Sequence, residues 1–400
     1  MASHNKGFKN NWYPIIYSDF ITTEKHYSTK IWGEPVVLFR GPDNEPVCLQ
    51  DRCPHRSAPL SLGTTKSGVL SCAYHGWKFS TGGQCVGIPE SKSMHKEIRA
   101  KSYITKDSQG VVFIWWGQGE PNVPIPTTKE YDDPNFRKGS YLADVDVNYS
   151  FHLSNLFDPV HFHLLHDGSI PDINAANYGR LEPKEILDTN SILRYTFNNP
   201  EKRPGEVFDI SFDPGLTWTL RLGTVDSDEA IVIQQAFHVP ISENRTRLLF
   251  RMYLSMQRIP IMRYVPQFLY DLRNKSVMYH ILGEDINIIK GHFNRSVKYG
   301  APEVNRPLVE DQLLIRFHKW ERECLELDGG RPWFESWTSR EKCVGCNCGP
   351  ESVIDNEYPS EYPPANQKWV EDFNWWVKFL KVGVTVSVGL VAALVYKSFV

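Results

Sequence analysis

The sequence predicts an α+β protein of at least two domains: an all-β N-terminal domain, then an α+β domain with an antiparallel sheet, then a hydrophobic C-terminal helix. Three observations lead to this prediction. Short β-rich runs separated by turn residues fill residues 12–117, strand and helix patterns mix between residues 141 and 327, and residues 382–396 carry no charge. A chain of 400 residues is long enough for two or three domains.

Composition excludes several classes of protein. A hydrophobic content of 41% with 23% charged residues is that of a globular chain rather than a disordered or fibrous one. The net charge is −3 and no basic tract alternates with aromatic residues, so we expect no nucleic-acid partner. Eight cysteines are too few for a disulfide framework, and the first residues offer no apolar signal stretch. We therefore expect a reducing compartment, where clustered cysteines indicate metal.

The N-terminal domain is predicted from strand and turn signals. Residues 35–39 (PVVLF) form a strand pattern followed by the turn residues GPDN, and residues 110–116 (GVVFIWW) form another. This spacing is typical of a small antiparallel sandwich or barrel. A proline-rich stretch follows, so we assign residues 1–118 to the first domain and 119–140 to a linker.

The second domain is assigned to residues 141–330. A helical pattern at 151–166 precedes strand patterns at 230–233 and 246–250, and two longer helical patterns cover 260–289 and 309–327. This order predicts helices packed on an antiparallel sheet, an α+β domain of the helix-grip type.

The C-terminal end differs in composition from the rest. Residues 331–374 form a cysteine-containing segment, and we assign residues 375–400 to a membrane anchor. The 15 uncharged residues 382–396 span only ~22 Å at ~1.5 Å per residue, short of a ~30 Å hydrocarbon core. Extension through Phe379 with a snorkelling Lys381 lengthens the span, and Trp375 and Trp376 suit the membrane interface. The alternative is a buried amphipathic helix.

The first candidate metal site consists of Cys53 and His55, followed after 16 residues by Cys72 and His75. Zinc accepts two thiolates and two imidazoles, but zinc fingers usually pair the two cysteines first. Here each short loop supplies one Cys and one His. This arrangement favours a two-iron cluster in which one iron takes both thiolates and the other takes both imidazoles.

These two boxes, CPHR at 53–56 and CAYHGW at 72–77, resemble those of Rieske oxygenases. The Rieske proteins of respiratory and photosynthetic complexes are the alternative, and they carry one further cysteine in each box. The corresponding positions here are Ala58 and Tyr74, so that disulfide does not form. The resemblance implies a [2Fe–2S] cluster, a mononuclear iron(II) and O₂ as co-substrate.

The second candidate site is the motif N-x2-D-x2-H-x4-H, formed by Asn155, Asp158, His161 and His166. Two histidines and one carboxylate on one face are typical of non-haem iron(II) oxygenases. His161 and His166 are five residues apart, so a helix distortion would help both to face one metal. For the third ligand we choose Asp285, at the start of an apolar helical run, with neighbouring Glu284 as the alternative. The other interpretation is a set of helix-surface histidines, since His152 and His163 lie nearby.

The resemblance also implies roles and an assembly. In Rieske oxygenases the subunits form a ring, and an acid links the cluster of one subunit to the iron of the next. Carried over, Asp158 would bridge His161 and His75 of the partner subunit in a homotrimer, and Asn155 would orient the iron site.

Three features narrow the resemblance: the hydrophobic tail, the C-x2-C pair Cys343 and Cys346, and a helix-like block at 311–329. Together they are similar to the branch that contains pheophorbide a oxygenase and chlorophyllide a oxygenase. The resemblance implies oxidation of a chlorophyll-derived tetrapyrrole with O₂, and a redox-responsive role for Cys343 and Cys346. It implies catalytic domains in the cytoplasm or a plastid stroma, held at a membrane by the tail.

Alternatives remain for the activity. The substrate is otherwise a sterol, another polycyclic lipid or an aromatic compound, and the non-enzymatic alternative is a membrane-attached Rieske electron carrier. Such a carrier holds two irons per chain, whereas an oxygenase holds about three. No dinucleotide-binding G-x-G-x-x-G and no ferredoxin-type C-x4-C-x2-C motif is present, so the electron donor is expected to be a separate ferredoxin or reductase.

Overall fold

The computed structural model describes residues 7–89, 97–166, 179–186, 193–201, 203–224, 227–257, 263–299 and 308–328. The predicted cysteine-containing segment and membrane anchor, with Cys343 and Cys346, lie outside these ranges. Within them, no helix is both long enough and apolar enough to cross a bilayer.

The N-terminal domain is made of short antiparallel strands in three sheets, ordered β1-β11-β10, β2-β3-β4-β9 and β5-β6-β7-β8. The strands are β1 (Asn11–Tyr17), β2 (Tyr27–Ile31), β3 (Glu34–Arg40), β4 (Pro46–Gln50), β5 (Thr64–Lys66), β6 (Val69–Ser71), β7 (Lys78–Phe79), β8 (Cys85–Gly87), β9 (Ser102–Tyr103), β10 (Thr105–Ser108) and β11 (Val111–Trp116). The predicted runs at 35–39 and 110–116 therefore correspond to β3 and β11.

Strand β3 is buried on both faces and connects two cores. Side chains alternate across a strand, so Val36 and Leu38 face one way while Val37 and Phe39 face the other. Val36 and Leu38 belong to the large core of the molecule, whereas Val37 and Phe39 belong to a small core that includes Cys53 and Cys72. This small core supports the two metal-binding boxes.

The second domain contains one seven-stranded antiparallel sheet, ordered β12-β18-β17-β16-β15-β14-β13. Its elements are β12 (Phe136–Val145), α1 (Tyr149–Leu156), α2 (His161–Leu165), β13 (Glu182–Glu185), β14 (Leu193–Asn199), β15 (Arg203–Asp213), β16 (Thr217–Thr224), β17 (Ser227–Ser242), β18 (Arg245–Ser255), α3 (Gln267–Tyr299) and α4 (Gln312–Asp328). The prediction of an all-β domain followed by an α+β domain with an antiparallel sheet is confirmed.

Three boundaries differ from those predicted. Strand β12 begins at Phe136, inside the stretch that we assigned to the linker, because that stretch pairs with β18. The single helix predicted at 151–166 is divided into α1 and α2, and α3 extends from Gln267 to Tyr299 rather than ending at 289. As a consequence Asp285 lies in the middle of α3, not at its start.

The break between α1 and α2 follows from the sequence Asp158-Pro159. Proline has no backbone N–H and disfavours the helical conformation of the residue before it. Helix α1 therefore stops at Leu156, and the Asp158 carboxylate accepts a hydrogen bond of 2.9 Å from the backbone N–H of Val160. The chain then enters α2 in a new direction.

The two domains share an aromatic core. Trp12, Tyr13 and Trp32 of the first domain are buried together with Tyr149 and Trp320 of the second. The rings of Trp32 and Tyr149 meet edge to face, with centroids 5.3 Å apart. Since edge-to-face aromatic pairs add to the stabilisation from burial, this contact fixes the orientation of the two domains.

Candidate metal centres

The loops that carry the Cys and His boxes have similar backbone turns. Cys53 and His55 follow β4, and Cys72 and His75 lie between β6 and β7. The carbonyl of Cys53 accepts from Ser57 N–H at 2.8 Å, and that of Cys72 accepts from Gly76 N–H at 2.9 Å. Each turn is closed by a residue with positive φ, Ser57 at 59° and Gly76 at 67°. The two boxes therefore present their side chains in similar ways.

The side chains of these boxes divide into a buried pair and an exposed pair. The thiols of Cys53 and Cys72 are buried, whereas the imidazoles of His55 and His75 are exposed with ring centroids 4.7 Å apart. Burial, with a contribution from the Cys72 thiol, raises the pKa of the Cys53 thiol. Two inner thiols and two outer imidazoles fit a [2Fe–2S] cluster whose histidine-bound iron faces the surface.

Trp77 is a residue of this site that the sequence analysis did not single out. Its ring stacks on the His55 imidazole at a centroid distance of 4.4 Å and an angle of 4°. The stack holds the orientation of the imidazole. The only signal in the sequence was its place at the end of the second box.

The structure brings together His161, His166 and Asp285. One ligand atom from each lies within 4.8 Å of the others. Asp285 Oδ1 is 3.3 Å from His166 Nε2 and 3.6 Å from His161 Nε2. Within the described part of the chain, the buried Nε2 atom of His166 has no hydrogen-bond partner. A metal ion would satisfy this nitrogen, and two imidazoles with one carboxylate suit iron(II). These three residues therefore fit the expected mononuclear iron.

The end of α2 explains how two histidines five residues apart face one point. His161 is the first residue of α2, and His166 follows its last residue. The backbone of His166 has left the helical conformation, with φ −98° and ψ 26°. The distortion expected between the two histidines is therefore located at the end of α2.

The second ring nitrogen of each histidine is held by another group. His161 Nδ1 contacts the backbone carbonyl of Asp158, and His166 Nδ1 is 2.8 Å from Glu284 Oε2. Such partners fix the tautomer and orientation of metal-binding histidines. Glu284 therefore contacts the far side of His166, while Asp285 faces both Nε2 atoms.

Charges around the site act differently on the two imidazoles. Burial lowers the pKa of His161, which favours the neutral form that a metal requires. Burial also lowers the pKa of His166, but the carboxylates of Asp285 and Glu284 outweigh it, and the pKa is raised. The carboxylates thus concentrate negative charge where a cation would bind.

Asn155 and Asp158 lie at the edge of this triad. Asn155 Nδ2 donates to Asp285 Oδ1 at 3.1 Å and lies 3.4 Å from His161 Nε2. Asp158 contacts His161 through its backbone carbonyl, while its carboxylate accepts from Val160. Burial raises the pKa of the Asp158 carboxyl. Asn155 therefore orients Asp285, and Asp158 connects the entry of α2 to His161.

An apolar cavity lies beside the triad. Its volume, measured for the centre of a water-sized sphere, is about 30 Å³. His161 and Asp285 line it together with apolar side chains of the sheet and of helices α1, α2 and α3: Leu156, Phe162, Leu248, Phe250, Met278, Ile281 and Leu282. Tyr141, Gln234 and His152 add polar groups that the sequence analysis did not assign to the site.

Comparisons with known proteins agree with this geometry. The family model of the Rieske [2Fe-2S] domain matches residues 11–103. Chlorophyllide a oxygenase of Arabidopsis thaliana is 28% identical over 328 residues, 78% of this chain. The chain therefore contains a Rieske [2Fe-2S] domain and is similar to Rieske non-haem iron oxygenases. Protein TIC 55 of Pisum sativum is 36% identical over 161 residues, 39% of this chain.

The solved structures show the same fold. Dicamba monooxygenase bound to dicamba superposes with a TM-score of 0.67 at 22% identity, covering 81% of this chain and 99% of that chain. The curated relatives are longer proteins: the matches span 57% of the Arabidopsis chlorophyllide a oxygenase and 29% of the pea TIC 55.

Proposed function

We propose that this protein is an oxygenase that uses O₂ and electrons from a separate ferredoxin or reductase to oxidise a large hydrophobic substrate of the chlorophyll-derived tetrapyrrole class. The observation that carries the proposal is the triad of His161, His166 and Asp285 beside an apolar cavity, in a chain with a Rieske domain. The similarity to chlorophyllide a oxygenase over 78% of the chain supports the substrate class. So does a 30% identity over 174 residues to pheophorbide a oxygenase of Oryza sativa.

The residues of the site would divide the chemistry as follows. Iron bound at the triad would supply the binding and activation of O₂ at positions that the protein leaves open, with electrons from the Rieske cluster. Glu284 and the Asp158 carbonyl hold the imidazoles, and Asn155 holds Asp285. The apolar lining of the cavity binds the hydrophobic substrate and excludes water from the reacting bond.

A second candidate substrate class is a smaller aromatic compound. Vanillate O-demethylase of Pseudomonas is 32% identical over 164 residues. The apolar lining of the cavity suits an aromatic ring. Sterols and other polycyclic lipids form a third class, which the apolar lining also accommodates.

Labelled oxygen distinguishes these classes. The reduced protein is incubated without oxygen with chlorophyllide a, pheophorbide a, a sterol or vanillate, and ¹⁸O₂ is then admitted. We expect label in a tetrapyrrole product and about three irons per chain. Asp285→Ala is the matched control and should give no labelled product. Two irons per wild-type chain with no labelled product would instead favour an electron carrier.

We also propose that the protein works as a trimer in which Asp158 connects His161 to His75 of the partner subunit. The exposure of His55 and His75 supports this, because an electron has to leave the cluster at its surface. We expect Asp158→Asn to retain both metal centres but to lose roughly tenfold or more of the turnover, since an amide carries no charge. Asp146→Asn, on an exposed carboxylate, is the control. Undiminished turnover in Asp158→Asn would exclude the connecting role.

For the C-terminal end we propose a membrane anchor at 375–400 and a redox-responsive pair, Cys343 and Cys346. A chain truncated after residue 374 should leave the membrane fraction with its cluster absorption intact. Continued sedimentation with membranes would contradict the anchor. A redox titration of activity should show a two-electron midpoint that Cys343→Ser abolishes, and identical curves would contradict the pair.

A further inference from the structure

Two buried histidines outside the metal triad form a hydrogen-bonded pair beside the cavity. His152 lies on α1 and His238 on β17, and both side chains are fully enclosed. His152 Nδ1 is 2.8 Å from His238 Nε2, and His238 Nδ1 is 3.1 Å from the backbone carbonyl of Leu216. The two imidazoles and the carbonyl form a hydrogen-bonded series that ends at His152 Nε2.

This hydrogen-bonded series determines which imidazole nitrogens carry protons. A carbonyl only accepts hydrogen bonds, so His238 Nδ1 carries the proton that it donates to Leu216. Burial lowers the pKa of His238 to about 4 and lowers that of His152 as well, so both rings are neutral near pH 7. His238 Nε2 then accepts from His152 Nδ1–H. His152 Nε2 is left as a lone-pair acceptor.

The Leu216 end of the hydrogen-bonded series lies in a strained turn. Leu216 joins β15 to β16 with φ of +58°, a conformation that non-glycine residues rarely adopt. Its carbonyl also accepts the backbone N–H of His238 at 3.1 Å. Next to it, a Cβ on Gly215 would overlap the backbone carbonyl of Trp12 in the N-terminal domain. Strain of this kind persists where surrounding contacts enforce it, and it is frequent at functional sites.

The His152 end of the hydrogen-bonded series lies at the cavity. His152 lines the same cavity as His161 and Asp285, and its buried Nε2 atom has no hydrogen-bond partner among the residues that the structure describes. It is not part of the group whose ligand atoms lie within 4.8 Å of one another. A buried acceptor without a partner is costly, and apolar side chains dominate the rest of the lining. A ligand in the cavity is therefore the natural donor to this nitrogen.

We propose that His152 is a specificity-determining residue that accepts a hydrogen bond from an O–H or N–H group of the substrate and so positions the adjacent bond beside the iron site. His238 and the Leu216 carbonyl act through His152 by fixing its tautomer. The proposal rests on the proposed function, since it takes the cavity as the substrate site. A substrate that offers only an ether or carbonyl oxygen here is disfavoured, because two lone pairs would face each other.

Binding of two small probes tests the proposal without turnover. Phenol and anisole have similar shapes, but only phenol donates a hydrogen bond. Binding to the iron-loaded protein is measured by calorimetric titration under nitrogen. We expect the preference of wild type for phenol over anisole to exceed that of His152→Leu by roughly three- to tenfold. His152→Gln retains an acceptor near the Nε2 position and should retain most of the preference. Gln234→Leu removes another polar group of the cavity and is the matched control.

The outcomes separate the proposal from its rivals. An equal preference in wild type and His152→Leu overturns it, because the phenol hydroxyl then binds elsewhere, for example at iron. Loss of the preference in Gln234→Leu alone assigns the role to Gln234 and overturns it as well. Neither result depends on which substrate is oxidised, so failure of this inference is distinguishable from failure of the proposed function in the labelled-oxygen experiment.

A second measurement, by nitrogen NMR, is made on the wild-type protein and uses a variant only to assign the His152 signal. In ¹⁵N-histidine protein with zinc at the mononuclear site and an oxidised cluster, we expect the Nε2 signal of His152 to be that of an unprotonated nitrogen. Phenol should move it towards the protonated position, and anisole should not. A protonated Nε2 in the ligand-free protein contradicts the tautomer and with it the proposal. His152→Gln identifies the signal.

Discussion

At the scale of single residues, Glu284 and Asp285 are neighbours on α3 with different contacts. Asp285 Oδ1 lies 3.3 Å and 3.6 Å from the Nε2 atoms of His166 and His161. Glu284 instead reaches the opposite nitrogen of His166 and lies 3.4 Å from His280. Successive residues on a helix point about 100° apart, so only one of the two faces the metal position.

This difference predicts unequal effects on metal content. Asp285→Ala should lose the mononuclear iron and keep the cluster, because it removes one of three ligands. Glu284→Gln should still bind iron but with roughly 10- to 100-fold lower affinity, as for other groups that orient a histidine ligand. Iron titration with the cluster absorbance as internal standard measures both. Normal iron content in Asp285→Ala together with loss of iron from Glu284→Gln would show that Glu284 is the ligand and Asp285 the orienting residue.

At the scale of elements, α3 determines the position of Asp285. This helix packs on β12, where Gly139 leaves room for it. A Cβ at Gly139 would overlap the Asn274 side chain and lie 3.1 Å from the Tyr270 ring. Further along the helix, Ile289 and Phe293 pack with Phe151 of α1 and Leu248 of β18. The carboxylate is thus carried by a helix fixed at both the sheet and α1.

Two glycines connected with α3 should respond to alanine in opposite ways. Gly283 is an exposed helical residue with nothing within 4 Å of an added Cβ. Gly283→Ala should therefore raise the free energy of unfolding by about 0.5–1 kcal/mol. Gly139→Ala should lower it by about 1–3 kcal/mol and weaken iron binding, because the helix is displaced from β12. Urea unfolding followed by circular dichroism measures both, and equal shifts in one direction would contradict the packing described.

At the scale of the whole molecule, a buried arginine joins the two domains. Arg247 on β18 pairs with Asp144 at 2.6 Å and donates to Thr29 of β2 at 3.2 Å and to the Tyr27 hydroxyl. Burial raises the pKa of the Asp144 carboxyl, while Arg245, at 3.0 Å, opposes this shift. The guanidinium thus satisfies polar groups on both sides of the interface.

Removal of this guanidinium should destabilise the protein far more than removal of a surface pair. We expect Arg247→Met to lower the free energy of unfolding by about 2–4 kcal/mol, since Asp144 keeps Arg245 but Tyr27 and Thr29 lose their donor. Arg194→Met is the matched control: Arg194 pairs with Asp209 at 2.7 Å within one sheet, and its side chain is 36% exposed. Its loss should cost under about 1 kcal/mol. Equal losses in the two variants would show that the interface does not depend on Arg247.

The sequence by itself predicted the fold class, the Rieske domain, and candidate ligands that lie close together in the chain. Each Cys–His box is one short loop, and the Asn155 to His166 motif is one local segment, so spacing and ligand chemistry were sufficient to propose them. The predicted anchor and the Cys343–Cys346 pair lie outside the described residues and remain proposals.

Tertiary structure decided what depends on residues distant in the chain. The choice between Glu284 and Asp285 follows from the rotation of α3 on β12 and α1, which residue type alone does not reveal. Pro159 is visible in the sequence, but only the fold shows that α2 ends just before His166, so that His161 and His166 face one point. His152 and His238 are 86 residues apart. Their pairing arises where α1 crosses β17, and no periodicity or spacing records a contact between two separately folded elements.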